Sequence, residues 1–369
     1  MEPLAEYRLL KTTKELSSFV TGWRRLWARD PRSLPFQSPA WLLPWWRQFG
    51  SGELCAIVIN RRGEDIGLLP FYVYRDSAND KRQVLPLGVG PTDYLDGIFA
   101  SECSLDEIRG AVEVLRKTVK HDELCITQLP AHSRLLMAMQ QGSGIGGPGA
   151  GDRQYRLASK SGAGDSSEKI YVTQSDGCSR MAAVPWANLP QKIRRNATYY
   201  RNRAQRGGKL ELIQADGSNW AVVFERLHHL HTLRWRQRGE DGVLTDERVL
   251  EWHREAIPML LEARLLRLMA LKLNNEIIAV LYSLIDPVRD ERAQYFYITA
   301  YSPKHAELRP GTLLIAYAVE HAANEGVSII DMLRGEEDYK QIWHMDKTPT
   351  WCLTQLAPRD AEEKREAAA

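Results

Sequence analysis

The chain has 369 residues, of which 44% are hydrophobic and 26% are charged, so it is long enough to form two domains with buried cores. Its 49 Lys and Arg residues nearly balance its 47 Asp and Glu residues, and the net charge of +2 excludes a strong overall field for nucleic acid or membrane. The N-terminus shows no leader pattern and no segment is apolar enough to span a membrane, so we expect a cytoplasmic protein.

The first half of the chain alternates helical and strand-like patterns. It predicts, in chain order, helices over 14–29 and 39–48, a hairpin of strands 54–60 and 65–74, an extended segment over 82–100, a helix over 105–120 and a strand over 123–129. This order is typical of an α/β unit whose helices pack on a mostly antiparallel sheet.

The second half repeats that order. It predicts helices over 219–239 and 246–263, a hairpin over 265–286 that turns at Asn274-Asn275, a strand over 293–301, a helix over 310–326, and strands over 327–333 and 348–357. Overlaid without gaps, the two hairpins place Glu64 on Glu276 and Ile66 on Ile278. The repeat predicts a duplicated α/β (α+β) fold.

We expect one domain over 1–183, a second over 184–357, and a charged tail over 358–369. Within the first, residues 141–168 are rich in glycine and polar residues, which is typical of a flexible loop. This loop contains the spacing Gly142, Gly144, Gly147, but no helical pattern follows it, so it does not predict a dinucleotide site.

The five cysteines are odd in number and show no Cys-x-x-Cys spacing, which argues against a disulfide framework and against a structural zinc site. We therefore expect buried, inert thiols and no metal centre. The histidines at 228, 229 and 231 lack a carboxylate at matching spacing, so they do not predict a metal site either.

A candidate donor site lies at the start of the helix over 310–326, where Arg309, Pro310, Gly311 and Thr312 stand. Unpaired N–H groups and the positive end of the helix dipole can hold a pyrophosphate there, and glycine lets it approach the backbone. Coenzyme A fits such a site. An ordinary helix start with a solvated arginine remains the alternative.

Charged and polar residues follow the strand over 327–333, where acyl transfer would need a base and a donor for the thioester oxyanion. Asp331 is the candidate base and Glu337 the second candidate, while Tyr339 and Lys340 could stabilise the oxyanion and Arg334 could contact substrate. A helix cap with a solvated charged turn is the alternative.

Three further groups could bind substrate. Arg234, Trp235 and Arg238 could clamp an anionic acceptor, or the arginines could simply stabilise a helix C-terminus. Asp93-Tyr94 could reach a cleft, or form an ordinary turn. The basic stretch over 192–209 could follow RNA or another anionic polymer, or could be a solvated helix face.

The run from Glu307 to Trp343, with Arg-Pro-Gly-Thr-Leu-Leu, Ile-Asp-Met-Leu-Arg-Gly and Tyr-Lys-x-x-Trp, resembles the C-terminal signature of the CelD/BcsL-type, BioF2-like GNAT acetyltransferases. These proteins are associated with cellulose and exopolysaccharide loci. The stretches 35–50, 91–99, 231–255 and 265–284 resemble the same family. This chain has His344 after Trp343, where the family usually has glycine.

The resemblance implies tandem GNAT-like domains, acetyl-CoA or another acyl-CoA as cosubstrate, and transfer to an amine or hydroxyl of a sugar or amino-acid-like acceptor, with polysaccharide-synthesis machinery as a partner. The architecture is also similar to that of the Fem-type peptidoglycan bridge transferases, where a matching aromatic-lysine pair holds the acyl carbonyl and the donor is aminoacyl-tRNA. A third possibility is a non-catalytic GNAT-derived scaffold of a polysaccharide synthase.

Overall fold

The structure is a computed structural model that describes residues 5–141, 155–158, 169–335 and 337–357. Of the predicted loop over 141–168, residues Tyr155–Ala158 form a strand rather than a loop, and the glycine-rich spacing at 142–147 lies outside the described residues. The predicted tail over 358–369 also lies outside them.

The strands of the described residues are β1 (Glu6–Leu10), β2 (Glu53–Leu54), β3 (Ala56–Arg61), β4 (Glu64–Leu69), β5 (Phe71–Arg75), β6 (Arg82–Pro86), β7 (Ile98–Phe99), β8 (Glu123–Pro130), β9 (Tyr155–Ala158), β10 (Lys169–Ala182), β11 (Leu210–Gln214), β12 (Leu266–Leu273), β13 (Glu276–Ile285), β14 (Ala293–Tyr301), β15 (Ile329–Asp331) and β16 (Asp346–Leu356). The helices are α1 (Thr13–Ser18), α2 (Val20–Arg29), α3 (Pro39–Phe49), α4 (Leu105–Thr118), α5 (Arg134–Gln140), α6 (Gln191–Gly207), α7 (Trp220–Arg236), α8 (Glu247–Glu262), α9 (Pro310–Asn324) and α10 (Asp338–Gln341).

The chain divides into two compact units. Unit 1 comprises residues 1–176 and 349–369, and unit 2 comprises 177–348. The first changeover falls inside β10 and the second inside β16. The division into domains at 183/184 therefore stays a prediction, and the return of the chain to unit 1 at 349 has no signal in the sequence.

Unit 1 contains two groups of strands. Strands β1, β3, β4 and β7 form an antiparallel sheet in that order, and β16, β8, β6, β5 and β2 follow one another in the second group. Among the described strands of unit 1, only β6 and β8 pair in parallel, and α4 lies between them in the chain. Ser104 and Glu107 form a capping box at the start of α4. Because Pro70 has no N–H to donate, it ends β4 and separates it from β5.

Unit 2 is a sheet in the order β11, β12, β13, β14, β15, followed by residues 180–182 of β10. Leu281 of β13 packs with α6 and α9 in one core cluster. Its neighbour Tyr282 contacts Phe224 of α7 and His253 of α8 on the other face. Successive side chains of β13 point to opposite faces of the sheet, and helices cover both faces.

The two hairpins confirm the predicted duplication in geometric detail. Arg62-Gly63 and Asn274-Asn275 occupy the two turns, and all four residues have positive φ. The register shifts between Ile59 and Asn60 in β3, and at the overlaid position, between Leu271 and Lys272, in β12. Each unit then continues to a parallel strand pair joined by a helix, β6–α4–β8 and β14–α9–β15. The fold is thus α/β with two units of GNAT-like order, as predicted.

Several elements were absent from the sequence prediction. Strand β1, helix α5 and strand β10 lie in segments that show no clear periodicity. Among the described helices, none combines the length and apolar character that crossing a bilayer requires.

Candidate functional site

The pairing of two parallel strands in unit 2 is short. Strands β14 and β15 pair only from Ala293 to Tyr295, opposite Ile329 to Asp331. Beyond that point β14 continues to Tyr301 while β15 has ended. A β-bulge falls on the same stretch of β14, since its register against β13 shifts between Phe296 and Ile298. Bulges and strand ends of this kind re-aim side chains and expose backbone groups for binding.

Helix α9 follows β14 in the chain, after a short helical turn at Pro303–Leu308. Arg309 adopts φ 48° as the N-cap residue, and no side-chain hydrogen bond caps the helix among the described residues. Pro310 has no N–H, so Gly311 and Thr312 supply the first amide groups of the helix. A Cβ atom at Gly311 would lie 3.0 Å from Cδ1 of Tyr301. The predicted donor residues therefore form a helix start without a side-chain cap, at which Arg309 is exposed, Thr312 is partly buried, and Pro310 and Gly311 are buried.

Three side chains from separate elements meet close to this helix end. The guanidinium of Arg234, in the last turn of α7, lies 5.0 Å from the ring centre of Tyr301 at the end of β14. Burial raises the pKa of the Tyr339 hydroxyl, as does the Glu337 charge, while Arg234 opposes that shift. The Tyr339 hydroxyl therefore stays protonated near neutral pH and can donate a hydrogen bond. We name Arg234, Tyr301 and Tyr339 the aromatic-arginine cluster.

Lys340 holds the loop that follows β15. Its Nζ donates to the carbonyl oxygens of Leu333 (3.4 Å), Arg334 (2.6 Å) and Gly335 (3.3 Å), and pairs with Oε2 of Glu337 at 2.8 Å. The side chain is 5% exposed. An ammonium group with these partners fixes the loop rather than facing a thioester, so this geometry gives Lys340 a positioning role.

Asp331 is fully buried and its carboxylate is engaged on both oxygens. Oδ2 lies 2.6 Å from Nε of Arg180 on β10, and Oδ1 accepts the N–H of Leu333 at 2.7 Å. Glu337, in contrast, has a side chain that is 56% exposed. Proton transfer requires a carboxylate that an acceptor can reach, and the geometry therefore favours the second candidate base, Glu337, over Asp331.

The remaining candidates have contacts of their own. The ring of Trp235 is tilted by 43° against that of His231 at 5.8 Å, and the guanidinium of Arg238 lies 5.5 Å from the ring centre of Trp235. Asp93 and Tyr94 belong to unit 1, where both are buried and Tyr94 packs against Phe36 with φ 54°.

Two residues of the site were missed in the sequence. Tyr301 is the last residue of the predicted strand over 293–301 and was not a candidate site residue, and Arg180 lies on the unpredicted strand β10. Neither has a local sequence signal, since each acquires its role through strands that pair across long sequence separations. The described residues contain no group of three or more His, Cys, Asp or Glu side chains arranged to hold a metal ion.

Comparison with known proteins places this arrangement of strands and helix in a wider context. Residues 191–341 match the family model described as "Acetyltransferase (GNAT) domain". This part of the chain is thus similar to GNAT acetyltransferase domains. No curated protein matches the sequence.

Solved structures show the same fold over the whole chain at low sequence identity. FemX is 10% identical with a TM-score of 0.60, covering 99% of this chain and 100% of its own. A conserved protein of unknown function from Bacteroides thetaiotaomicron is 12% identical with a TM-score of 0.54, covering 96% and 100%. The C-terminal domain of a protein named as a lysylphosphatidylglycerol synthetase, from Agrobacterium fabrum, is 10% identical with a TM-score of 0.53, covering 95% and 94%.

Proposed function

We propose that the chain is a cytoplasmic acyltransferase that moves an acetyl or similar acyl group from acyl-CoA to an amine or hydroxyl group of a sugar or amino-acid-like acceptor. The observation that carries the proposal is the uncapped start of α9 beside the separated strands β14 and β15. Two phosphate groups of CoA would accept from the N–H groups of Gly311 and Thr312, and the helix dipole favours their charge.

The aromatic-arginine cluster would serve the acyl group. The protonated hydroxyl of Tyr339 can donate to the thioester oxygen as negative charge develops there. Arg234, held on the face of Tyr301, supplies a positive charge to the same region. Glu337 would accept the proton of the attacking amine or hydroxyl group, while Lys340 keeps its loop in place.

A role beside a cellulose or exopolysaccharide synthase rests on the resemblance to the CelD/BcsL-type proteins. The backbone at His344 supports that resemblance. His344 replaces the glycine usual in the family, and its φ of 51° is a conformation that favours glycine. A glycine at this position would therefore adopt the same backbone conformation without strain.

Isothermal titration with acetyl-CoA, free CoA and a control nucleotide tests the proposal. We expect saturable binding of both CoA forms to the unmodified protein. Gly311→Asp should abolish it because a carboxylate would repel the phosphates. Gly311→Ala is the matched control, since it adds the same Cβ near Tyr301 without the charge, and should keep most of the affinity. No binding to the unmodified protein at millimolar CoA would contradict the proposal.

A second candidate is a Fem-like transferase that takes its acyl group from aminoacyl-tRNA, and helix α6 favours it. Within the described part of the chain, six cations of the α6 segment form no ion pair: Lys192, Arg194, Arg195, Arg201, Arg203 and Arg206. Tyr199 stands 54% exposed among them. Nη1 of Arg203 reaches the carbonyl oxygen of Glu307 at 3.4 Å, which places the basic helix next to the segment before α9.

Measuring the binding of bulk tRNA at two salt concentrations distinguishes aminoacyl-tRNA from acyl-CoA as the acyl donor. Under the tRNA-dependent function, changing Arg194, Arg195, Arg203 and Arg206 to Gln should abolish binding and transfer, and binding to the unmodified protein should weaken steeply with salt. Under the CoA-dependent function, the four changes leave CoA binding intact. A folded protein that binds neither CoA nor tRNA would contradict both enzymes and favour the scaffold alternative.

A further inference from the structure

Two cysteines that are far apart in the sequence come together in unit 1. Strands β8 and β16 pair so that Cys125 faces Thr354. Cys352 lies two residues before Thr354, so its side chain projects from the same face. The Thr354 hydroxyl lies 3.9 Å from Sγ of Cys125 and 3.8 Å from Sγ of Cys352. Both sulfur atoms therefore lie within 4 Å of the same hydroxyl oxygen.

These cysteines differ from the others in exposure. Cys55, Cys103 and Cys178 are buried, whereas Cys125 and Cys352 are only partly buried. The expectation of buried thiols is therefore wrong for this pair. The two cysteines share a contact with Thr354, which brings their side chains to the same place on the sheet.

The two thiols are chemically unequal. Hydrogen bonds from Cys125, Thr354 and Thr173 lower the pKa of the Cys352 thiol, while its partial burial opposes them. The same contact raises the pKa of Cys125, with burial adding to the effect. Cys352 therefore carries the thiolate, which is the nucleophilic form, and Cys125 keeps its proton.

We propose that Cys125 and Cys352 form a redox-active dithiol, which hydroperoxides convert to a disulfide linking β8 to β16. The Cys352 thiolate attacks a peroxide oxygen, the O–O bond breaks, and a sulfenic acid and hydroxide (or alkoxide) result. Sγ of Cys125 then attacks the sulfenic sulfur, the S–S bond forms, and water leaves. With hydrogen peroxide, two thiols and one peroxide give one disulfide and two waters, so sulfur is oxidised and peroxide oxygen is reduced.

The bond would enclose all of unit 2 in a covalent loop, since Cys125 precedes residue 177 and Cys352 follows residue 348. Such a cross-link reduces the freedom of the unfolded chain, so the oxidised protein should unfold at a higher temperature than the reduced protein. Reduction by dithiothreitol should reverse the shift.

The test uses the full chain, reduced and then treated with one equivalent of hydrogen peroxide. Under denaturation the titratable thiols should fall from five to three, because two are consumed. Peptide mapping without reductant should recover one linked pair that contains Cys125 and Cys352. An unchanged thiol count in the folded protein, linkage of other cysteines, or sulfinic acid at Cys352 without linkage would each overturn the proposal.

Two variants assign the roles of the two sulfur atoms. Cys352→Ser should slow peroxide consumption by about tenfold or more, because the thiolate is lost. Cys125→Ser should leave a sulfenic acid at Cys352 that dimedone traps. Cys55→Ser is the matched control and should still form the linked pair, since Cys55 is buried elsewhere in unit 1. If a variant fails to fold, the peptide map of the unmodified protein still decides the question.

Discussion

At the scale of single residues, Tyr339 carries the clearest catalytic assignment. Its hydroxyl is protonated because burial and the charge of Glu337 raise its pKa. We expect Tyr339→Phe to lower kcat by about 100-fold while the KM for acyl-CoA changes little, because the lost hydrogen bond acts in the transition state. Steady-state release of free CoA measures both constants. The control, Tyr199→Phe on the exposed surface of α6, should leave both unchanged, and an unaffected kcat in Tyr339→Phe would remove this residue from the mechanism.

The buried ion pair of Asp331 could not be predicted from the sequence around it. Its position after a buried strand, with an arginine and a glutamate downstream, indicates a reactive carboxylate. Its partner Arg180 lies on a strand that the sequence did not predict, so the enclosed ion pair could not be anticipated. The charge pattern drew attention to the loop after β15, in which Lys340 pairs with Glu337 and donates to the carbonyl oxygen of Arg334. It could not rank the two acidic residues, since that ranking depends on burial.

The same ion pair gives a stability prediction. Asp331→Ala should lower the free energy of unfolding by about 3 kcal/mol, because it leaves Arg180 and the N–H of Leu333 without this acceptor. Urea unfolding followed by circular dichroism measures the change. Asp106→Ala, which removes the exposed pair with Arg109, should have a much smaller effect. Equal losses in the two variants would contradict the structural role of Asp331.

At the scale of elements, helices α7 and α8 each bury a histidine against the sheet. Burial lowers the pKa of His253 to about 3, and burial, with Arg234 and His228 adding to it, lowers the pKa of His231 to about 4. Unfolded histidine titrates near 6.5, so the unfolded chain takes up protons first as the pH falls. The neutral histidines therefore contribute fully to the free energy of unfolding above about pH 6.5, and this contribution is lost as the pH falls towards 4.

The pH dependence can be measured directly. Between pH 6.5 and 4.5 the free energy of unfolding should fall, with each histidine contributing up to about 1.4 kcal/mol per pH unit. His253→Phe keeps an aromatic ring against Trp252 and should flatten this slope. His229→Gln, at an exposed position of α7, is the control and should leave the slope unchanged. A slope identical in His253→Phe and the unmodified protein would contradict the assignment.

Elements with strong periodicity were predictable because their patterns are local. The turn at Asn274-Asn275 and the helix starting at Pro310 follow from residues next to each other in the chain. Strand β10 was not predictable, since it acquires partners as distant as Asp331, and the split of β4 from β5 depends on one proline inside an apolar run. Pairing over long separations, rather than propensity, decides these elements.

At the scale of the whole molecule, the repeated hairpin predicted the duplicated fold. The overlay of Glu64 on Glu276 agrees with the structure because each residue starts the second strand of its hairpin after a two-residue turn. The sequence could not show that the chain returns to unit 1 at residue 349, because the last strand has the same alternating pattern whichever unit it joins. That return brings Cys352 to Cys125 and makes the proposed dithiol possible.

The central claim is that unit 2 holds the phosphates of CoA at the start of α9. Hydrogen exchange of backbone amides with and without saturating CoA tests it most directly, because it reports the place as well as the fact of binding. We predict protection of the amides of Gly311, Thr312 and Leu313, with no comparable change at Asp93 and Tyr94 in unit 1. Protection confined to unit 1, or saturable binding that leaves residues 311–313 unprotected, would contradict the account.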